Sequence, residues 1–317
     1  MNTMTTEELR EVARRHRSFR EAGAALLLAS IVLAVFIFVP LKSANKAAPV
    51  TAIATTTPTV PFSTAPIEAE AAIVYDLATG ETLYEKNADA QLPLASLTKL
   101  LTVYAAVSAL PEGSIVTISR EAALAEAPHA FAEGARFELD DIARLTLTAS
   151  LNDGAIAIVE AAAEARERST TDTLAAAAAV LDLRETYALN GNGLDLNTAV
   201  SGAYGSARDM ARLAGALVAK APHIALATTR GTASGQSVDG RRYTVKNTDP
   251  VTDSLSRLLL SKTGFTDLAG GNLALVFDAG IAHPIAVVVL GSSKAARFTD
   301  GMALVTATER YFAGIGP

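Results

Sequence analysis

The chain has 317 residues, half of them hydrophobic, with a net charge of −6 and no cysteine. That length supplies one large or two modest domains with ample core, and the acidic balance excludes the basic footprint of a nucleic-acid binder. The missing cysteine excludes a disulfide framework and a thiolate metal site, and His16, His129, His223 and His283 lack metal-ligand spacing, so neither metal nor cofactor is expected.

The first element in the chain is an apolar segment. From Gly23 to Leu41 only Ser30 is polar, and about 20 such residues in a helix span the hydrocarbon core of a bilayer. Arg10, Arg14, Arg15, Arg17 and Arg20 precede it, against Lys42 and Lys46 after it. This asymmetry predicts a cytoplasmic head over residues 1–22, an uncleaved signal-anchor over 23–41, and the rest of the chain outside a bacterial cytoplasmic membrane, single-pass. A cleaved signal peptide is the rival reading, but the apolar run is long for one and no small-x-small cleavage site follows it. Residues 42–67 are rich in Thr, Ala and Pro, and this composition predicts an extended linker.

One domain is expected over residues 68–317. "AAIVYDLATGETLYEKN" reads as a hairpin, with alternating apolar residues on either side of a Thr-Gly turn. A helix is predicted from near Ser96 through "LLTVYAAVSAL", stopped by Pro111 and Gly113. Residues 120–183 are Ala-rich and mostly helical in pattern, with Ser169 as N-cap of a new helix. "SARDMARLAGALVAK" is a further amphipathic helix, and "GQSVDGRRYTVKN" a hairpin turning at Asp239-Gly240. "LLLSKTGF", "GNLALVFDAG" and "HPIAVVVLGSS" read as strands, followed by a helix from Phe298 to Phe312. Strands bracketing a helical middle predict an α+β fold, with the first hairpin joining the late strands in one antiparallel sheet. No internal repeat is present.

Three short motifs lie along these elements. Ser96 and Lys99 sit at i and i+3 of a helix start, on one face, so the lysine reaches the serine locally. A serine hydroxyl needs such a base to become a nucleophile. An ordinary lysine is protonated at neutral pH, but burial and a second cation, Lys262, both favour the neutral amine. The helix start also places the Ser96 N–H where it helps bind an oxyanion, and the Phe265 N–H is the natural second donor. In "LTASLNDGA", Ser150 is suited to relay a proton to a leaving amine, and Asn152 to bind a substrate amide and hold the lysine. On a late strand, Lys262 adds positive potential, and Gly264, on the same face, lets a substrate backbone approach. Taken singly, Ser-x-x-Lys reads as a plain helix start; the ordered set of motifs argues against that. Lys262-Thr263 does not close a phosphate-binding loop, because Ser261 and Ser256 stand where that motif needs glycine. "GNG" at Gly191–Gly193 reads as a loop rather than a cofactor cradle.

These residues resemble the penicillin-recognising serine enzymes, whose signature is S-x-x-K, S-D-N and K-T-G. Within that group the chain is most similar to the D-alanyl-D-alanine carboxypeptidases of the low-molecular-mass penicillin-binding protein type, peptidase family S11. The likeness runs over nearly all of residues 68–310, through "LPLASLTKLLT", "SLNDGAIAIVE", "LRETYALNGNGLD", "GSARDMARL", "KNTDP" and "KTGFTDLAGGNLAL". It implies a β-lactamase/transpeptidase-like fold, an acyl-enzyme on Ser96, Lys99 as proton acceptor, and Ser150 with Asn152 as the second motif. It also implies that Lys262 and Thr263 grip a substrate carboxylate, that the partner is a peptidoglycan stem peptide ending in D-Ala-D-Ala, and that β-lactams inhibit. Arg297 is the candidate for a further carboxylate-binding arginine, and Leu151, where the family has glycine, is expected to narrow the site. The N-terminal anchor is expected to replace the C-terminal amphipathic anchor that members often carry. A D,D-endopeptidase of the same fold is one alternative. A β-lactamase is another, although Leu189 and Asn190 stand one position too far from Glu185 for the deacylating glutamate pattern. A β-lactam-sensing receptor is a third, without a visible signalling domain.

Overall fold

Valine, leucine and isoleucine at alternating positions build a sheet whose two faces are both covered. The computed structural model describes residues 61–63, 65–280 and 282–314. The head, the segment 23–41 expected to anchor, and the linker through residue 60 lie outside the described residues. Among the described residues no helix is long and apolar enough to cross a membrane.

The chain opens with β1 (Ala71–Asp76), β2 (Thr82–Lys86) and the short β3 (Leu92–Pro93). A single 3-10 turn, Ala95–Leu97, leads into α1 (Thr98–Ala109). There follow β4 (Ile115–Thr117), α2 (Arg120–Ala123), β5 (Arg136–Glu138), α3 (Leu139–Ala149), α4 (Asn152–Ala165) and α5 (Thr170–Val180). Then come β6 (Tyr187–Ala188), β7 (Ala203–Gly205), α6 (Ala207–Lys220), α7 (Pro222–Ala227), β8 (Thr232–Gln236) and β9 (Arg242–Lys246). The chain closes with β10 (Leu258–Thr266), β11 (Gly270–Asp278), β12 (Pro284–Ser292) and α8 (Ala296–Phe312).

The main sheet has the order β10-β11-β12-β1-β2 and is antiparallel throughout. The first hairpin therefore joins the late strands through β1 and β12, as its alternation predicts. Successive strand residues point to opposite faces. Ala286, Val288 and Leu290 enter the core shared with Met210, Leu213 and Leu217 of α6 and with the helical half. Val287 and Val289 enter a second core with Leu304 and Val305 of α8. Covering both faces explains why β12 is an unbroken apolar run rather than an alternating one.

Side-chain caps close three of the eight helix starts named above, at Ser119, Ser169 and Ser206. The Ser169 hydroxyl accepts from the Asp172 N–H at 3.0 Å, and the Ser206 hydroxyl from the Asp209 N–H at 3.1 Å, each filling an otherwise unpaired donor of the first turn. The β8–β9 hairpin turns at Gly240, whose φ of +87° suits glycine. The final helix begins two residues earlier than its pattern suggests.

The linker boundary needs correction. Phe62, inside the stretch that composition assigns to a free linker, is docked on the domain. Phe62 is buried, its ring 5.7 Å from that of Tyr84 and 6.1 Å from that of Tyr311. The N–H groups of Glu68 and Ala69 donate to the Asp300 carboxylate at 3.1 and 2.9 Å. One aromatic ring and one buried carboxylate are enough to dock a segment whose average composition is that of a coil.

Candidate active site

The turn that carries Ser96 is held from two sides. Ala95 has a φ of +48°, unusual for a residue with a Cβ. Its carbonyl accepts from the Thr98 hydroxyl at 2.6 Å. On one side a Cβ at Gly193 would lie 2.0 Å from that same carbonyl oxygen. On the other a Cβ at Gly264 would lie 3.0 Å from the Leu94 carbonyl. Gly264 thus lets its strand lie close against the chain's own turn at residues 94–97. The "GNG" segment is a loop, as read, but it is packed directly against the turn that carries Ser96.

Ser96 is half-buried, and Lys99, one turn on, is fully buried. The Lys99 Nζ lies 2.7 Å from Ser96 Oγ, 2.8 Å from Asn152 Oδ1 and 2.7 Å from the Asn192 carbonyl. A neutral amine has two hydrogens and one lone pair. It can donate to Asn152 and Asn192 and accept from the Ser96 hydroxyl, which is the geometry of a base. Burial, then the nearby charge of Lys262, holds the Lys99 pKa well below the usual lysine range, with Asp153 opposing.

Ser150 caps α3 in the left-handed region at φ +59°. Leu151 has a φ of −67°, so nothing in the backbone asks for glycine there. Its side chain is buried in the helical core and does not narrow the site. Asn152 opens α4. Its two amide hydrogens go to the carbonyls of Glu126 at 2.9 Å and Ala127 at 3.1 Å. Of the two roles expected, the contact that holds the lysine is present, through Asn152 Oδ1.

Lys262, also buried, donates to Ser150 Oγ at 2.8 Å and to the Thr263 carbonyl at 2.6 Å. Both lysines therefore meet the serines of the two helical motifs. Burial, then the Arg297 guanidinium, lowers the Lys262 pKa to about 7, with Asp249 opposing. The sequence reading keeps this lysine charged; in the free protein it is poised near neutrality. The hydroxyls of Thr263 and Thr248 share a hydrogen bond at 2.6 Å. Phe265 lies on the sheet's edge strand with its ring exposed, 4.9 Å from Lys294 Nζ, beside a groove of about 520 Å³ that includes Glu126, Asp195 and Asp267. Arg297 is buried, its Nη1 donating to the Gly264 carbonyl at 2.6 Å and its Nε without a partner. It braces the strand that carries Lys262 and Thr263.

Sequence reasoning missed four contributors. Asn192 acts through its carbonyl, which no side-chain motif marks. Asp153 accepts from the Ala130 and Phe131 N–H groups at 2.7 and 2.6 Å and fixes the loop whose carbonyls hold Asn152. Thr248 and Asp249 lie in "KNTDP", and Asp249 accepts from the Ser261 hydroxyl at 2.5 Å. Of the histidines, His223 and His283 pair with Asp140 and Asp76 at 2.7 and 2.6 Å, outside this constellation.

The family profile described as D-alanyl-D-alanine carboxypeptidase matches residues 54–294. The D-alanyl-D-alanine carboxypeptidase DacA of Escherichia coli (strain K12) is 28% identical over 265 residues, covering 79% of this chain and 63% of that protein. The chain thus spans under two-thirds of that relative's length. Among solved structures, the D-alanyl-D-alanine carboxypeptidase from Mycobacterium tuberculosis H37Rv superposes with a TM-score of 0.67 at 22% identity, covering 78% of this chain and 92% of that one. Penicillin-binding protein D2 from Listeria monocytogenes, in its ampicillin-bound form, gives a TM-score of 0.65 at 24% identity over 76% of this chain and 98% of that one. At such identities the likeness establishes a common fold.

The lowered Lys262 pKa has a consequence for stability. Between about 7 in the folded protein and 10.5, the ordinary value, the unfolded chain holds a proton that the folded chain has released. Unfolding free energy therefore gains a positive slope with pH across that window. Urea denaturation at about pH 7 and pH 9.5 should show a larger gain for the wild type than for Lys262→Met. Equal gains would mean that Lys262 is not depressed.

Proposed function

The chain belongs to the D-alanyl-D-alanine carboxypeptidase family, peptidase family S11, and on that premise we propose that it is a serine D,D-peptidase. It removes the terminal D-alanine from peptidoglycan stem peptides through an acyl-enzyme on Ser96. The observation that carries this reading is the fully buried Lys99 Nζ at 2.7 Å from Ser96 Oγ.

In this reading neutral Lys99 takes the Ser96 proton as Oγ bonds to the carbonyl carbon of the D-Ala-D-Ala peptide. The oxyanion is received by the N–H groups of Ser96 and Phe265. Lys99 gives the Ser96 proton up to Ser150 as the Ser150 hydroxyl passes its own to the leaving nitrogen; the C–N bond breaks, D-alanine departs, and Lys99 is neutral again. Lys99 then takes a proton from water as its oxygen adds to the ester carbonyl, and returns it to Ser96 Oγ as the ester C–O bond breaks. Charged Lys262, with Thr263, receives the terminal carboxylate, and Arg297 adds its field from behind. β-Lactams acylate the same serine, and no cofactor takes part. The apolar segment 23–41 anchors the chain in the cytoplasmic membrane with the catalytic domain outside, on the strength of its length and flanking arginines.

Mass spectrometry of a D-Ala-D-Ala pentapeptide after incubation should show loss of one terminal alanine. Labelled penicillin should attach to wild type and not to Ser96→Ala. Cleavage only within a cross-linked dimer would make the protein an endopeptidase, and rapid release of the penicilloyl group a β-lactamase.

The two lysines should separate in pH profiles. The acidic limb of activity reflects Lys99 losing its proton, and the alkaline limb Lys262 losing its own. For kcat/KM, which reports the free enzyme, the alkaline limb should lie near 7. For kcat it should lie higher, because a bound carboxylate favours the lysine's charged form. In Lys262→Arg the alkaline limb should move up in both, since guanidinium does not titrate there. Unchanged limbs in this variant would remove Lys262 from the assignment.

Topology is tested separately. The protein should fractionate with membranes, and external protease should remove its domain from spheroplasts; a soluble form beginning after residue 41 would identify a cleaved signal.

A further inference from the structure

Helix α8 is pinned at two points one turn apart on the same face. At the first, Arg297 donates to the Gly264 carbonyl on β10, its guanidinium lying 4.6 Å from the Phe298 ring centroid. At the second, Asp300 is buried and accepts from three donors: the Glu68 and Ala69 N–H groups and the Ser292 hydroxyl at 2.7 Å. Its charge is thus met by the entering segment and the end of β12 rather than by a cation. Next to it the helix approaches the sheet closely, since a Cβ at Gly301 would lie 2.8 Å from Leu273 Cδ2. The same entering segment places Phe62 between Tyr84 and Tyr311, so residues 61–69 grip α8 near both ends.

We infer that Asp300 is a positioning residue: by clasping segment 61–69 to α8 it sets how deep Arg297 sits against the Gly264 strand, and so links the tether end of the domain to the site. The inference rests on the Ser96 acyl-enzyme reading above. Its physical basis is rigidity. Arg297 has no second hydrogen bond to fix it, because its Nε is unpartnered. Its depth is therefore the depth of its helix, which is seated at its start by the Ser293 hydroxyl on the Ala296 N–H at 3.0 Å and, one turn on, by the contacts of Asp300 and Gly301.

The charges that bear on Lys262 are few. Arg297 approaches from α8, Asp249 from the loop before β10 and Lys99 from α1, while Ser150 is its neutral partner. Arg297 helps hold the Lys262 pKa down and Asp249 opposes it. If α8 is released and Arg297 draws back, Lys262 keeps its proton to higher pH. Tyr84 is the titratable side chain on which Asp300 itself acts, and its pKa is raised by burial and then by that carboxylate, away from the working range.

The test uses the full chain in detergent micelles and the rate of acylation by a fluorescent penicillin as a function of pH. Asp300→Asn keeps the shape, removes the charge and puts an amide hydrogen against a donor. It should slow acylation about tenfold and move the alkaline limb up by roughly half a pH unit or more, where simple destabilisation would leave the limb in place. Phe62→Leu, which keeps an apolar plug without its ring contacts, should move the limb the same way by less, and carries the comparison if Asp300→Asn does not fold. In an Arg297→Met background, Asp300→Asn should cost less than about twofold further, because the two substitutions act through one side chain. An unmoved limb in the single variants, or multiplicative losses in the double variant, would overturn the inference while wild type still labels. A wild type that never labels would bring down the Ser96 reading and this inference with it.

Discussion

The structure depends on burying one amine next to one hydroxyl. An ammonium removed from water costs several kcal/mol unless it is paired, and Lys99 has no carboxylate in hydrogen-bond contact. Its three partners are uncharged: Asn152 Oδ1 and the Asn192 carbonyl accept, and the Ser96 hydroxyl can donate to its lone pair. A neutral amine satisfies all three contacts without any uncompensated charge, so the fold itself selects the protonation state that a base requires. The partners come from three stretches far apart in sequence: the turn before α1, the start of α4 and the loop after β6. Bringing them within 3 Å of one atom requires close backbone approaches, and this is where Gly193 and Gly264 stand.

A second buried cation would be redundant if the role of Lys262 were only to donate hydrogen bonds. Placed behind Ser150 and near Arg297, it does two further things. Its charge helps keep Lys99 neutral, and its own proton is made labile by Arg297 and burial. Lys262 and Arg297 thus form a positive interior beside the neutral Lys99, opposed by Asp153 and Asp249, each of which is also bound to backbone or hydroxyl donors. Such an arrangement lowers stability below what apolar residues of like volume would give. It is the kind of cost that accompanies a site built for reactivity rather than for the fold.

Much of this was legible in the sequence because its signals are local. The i, i+3 pair of Ser96 and Lys99, the alternation in β1 and β2, and the capping serine at 169 each depend on neighbours along the chain. What was not legible depends on neighbours in space. Asn192 contributes a backbone carbonyl, which every residue possesses. The Lys262 pKa is lowered by burial and then by an arginine on another element. Phe62 was lost in a Thr/Ala/Pro average, although a single ring between two tyrosines decides whether that segment docks. The S11 resemblance led to one misreading of its own: Leu151 looked like an intrusion at a glycine position, but the left-handed residue is Ser150, and a leucine at φ −67° is unstrained.

The lability of the Lys262 proton bears on how a peptidase of the proposed kind would tell a chain end from an internal bond. A terminal carboxylate brought beside Lys262 favours its charged form and so supplies its own counter-charge; binding and protonation reinforce each other. An internal peptide bond offers a neutral carbonyl, which gains much less from the charged amine and leaves it close to half-protonated near pH 7. A lysine locked in the charged state would hold a carboxylate without first taking up a proton, so the lowered pKa costs some affinity for the chain end. What it adds is coupling: carboxylate binding draws in a proton, and affinity for a free chain end falls as pH rises through the free-protein pKa of about 7. The Arg297 guanidinium, which adds to burial in lowering that pKa without giving Lys262 a hydrogen bond, thereby makes recognition of a chain end dependent on pH rather than uniform.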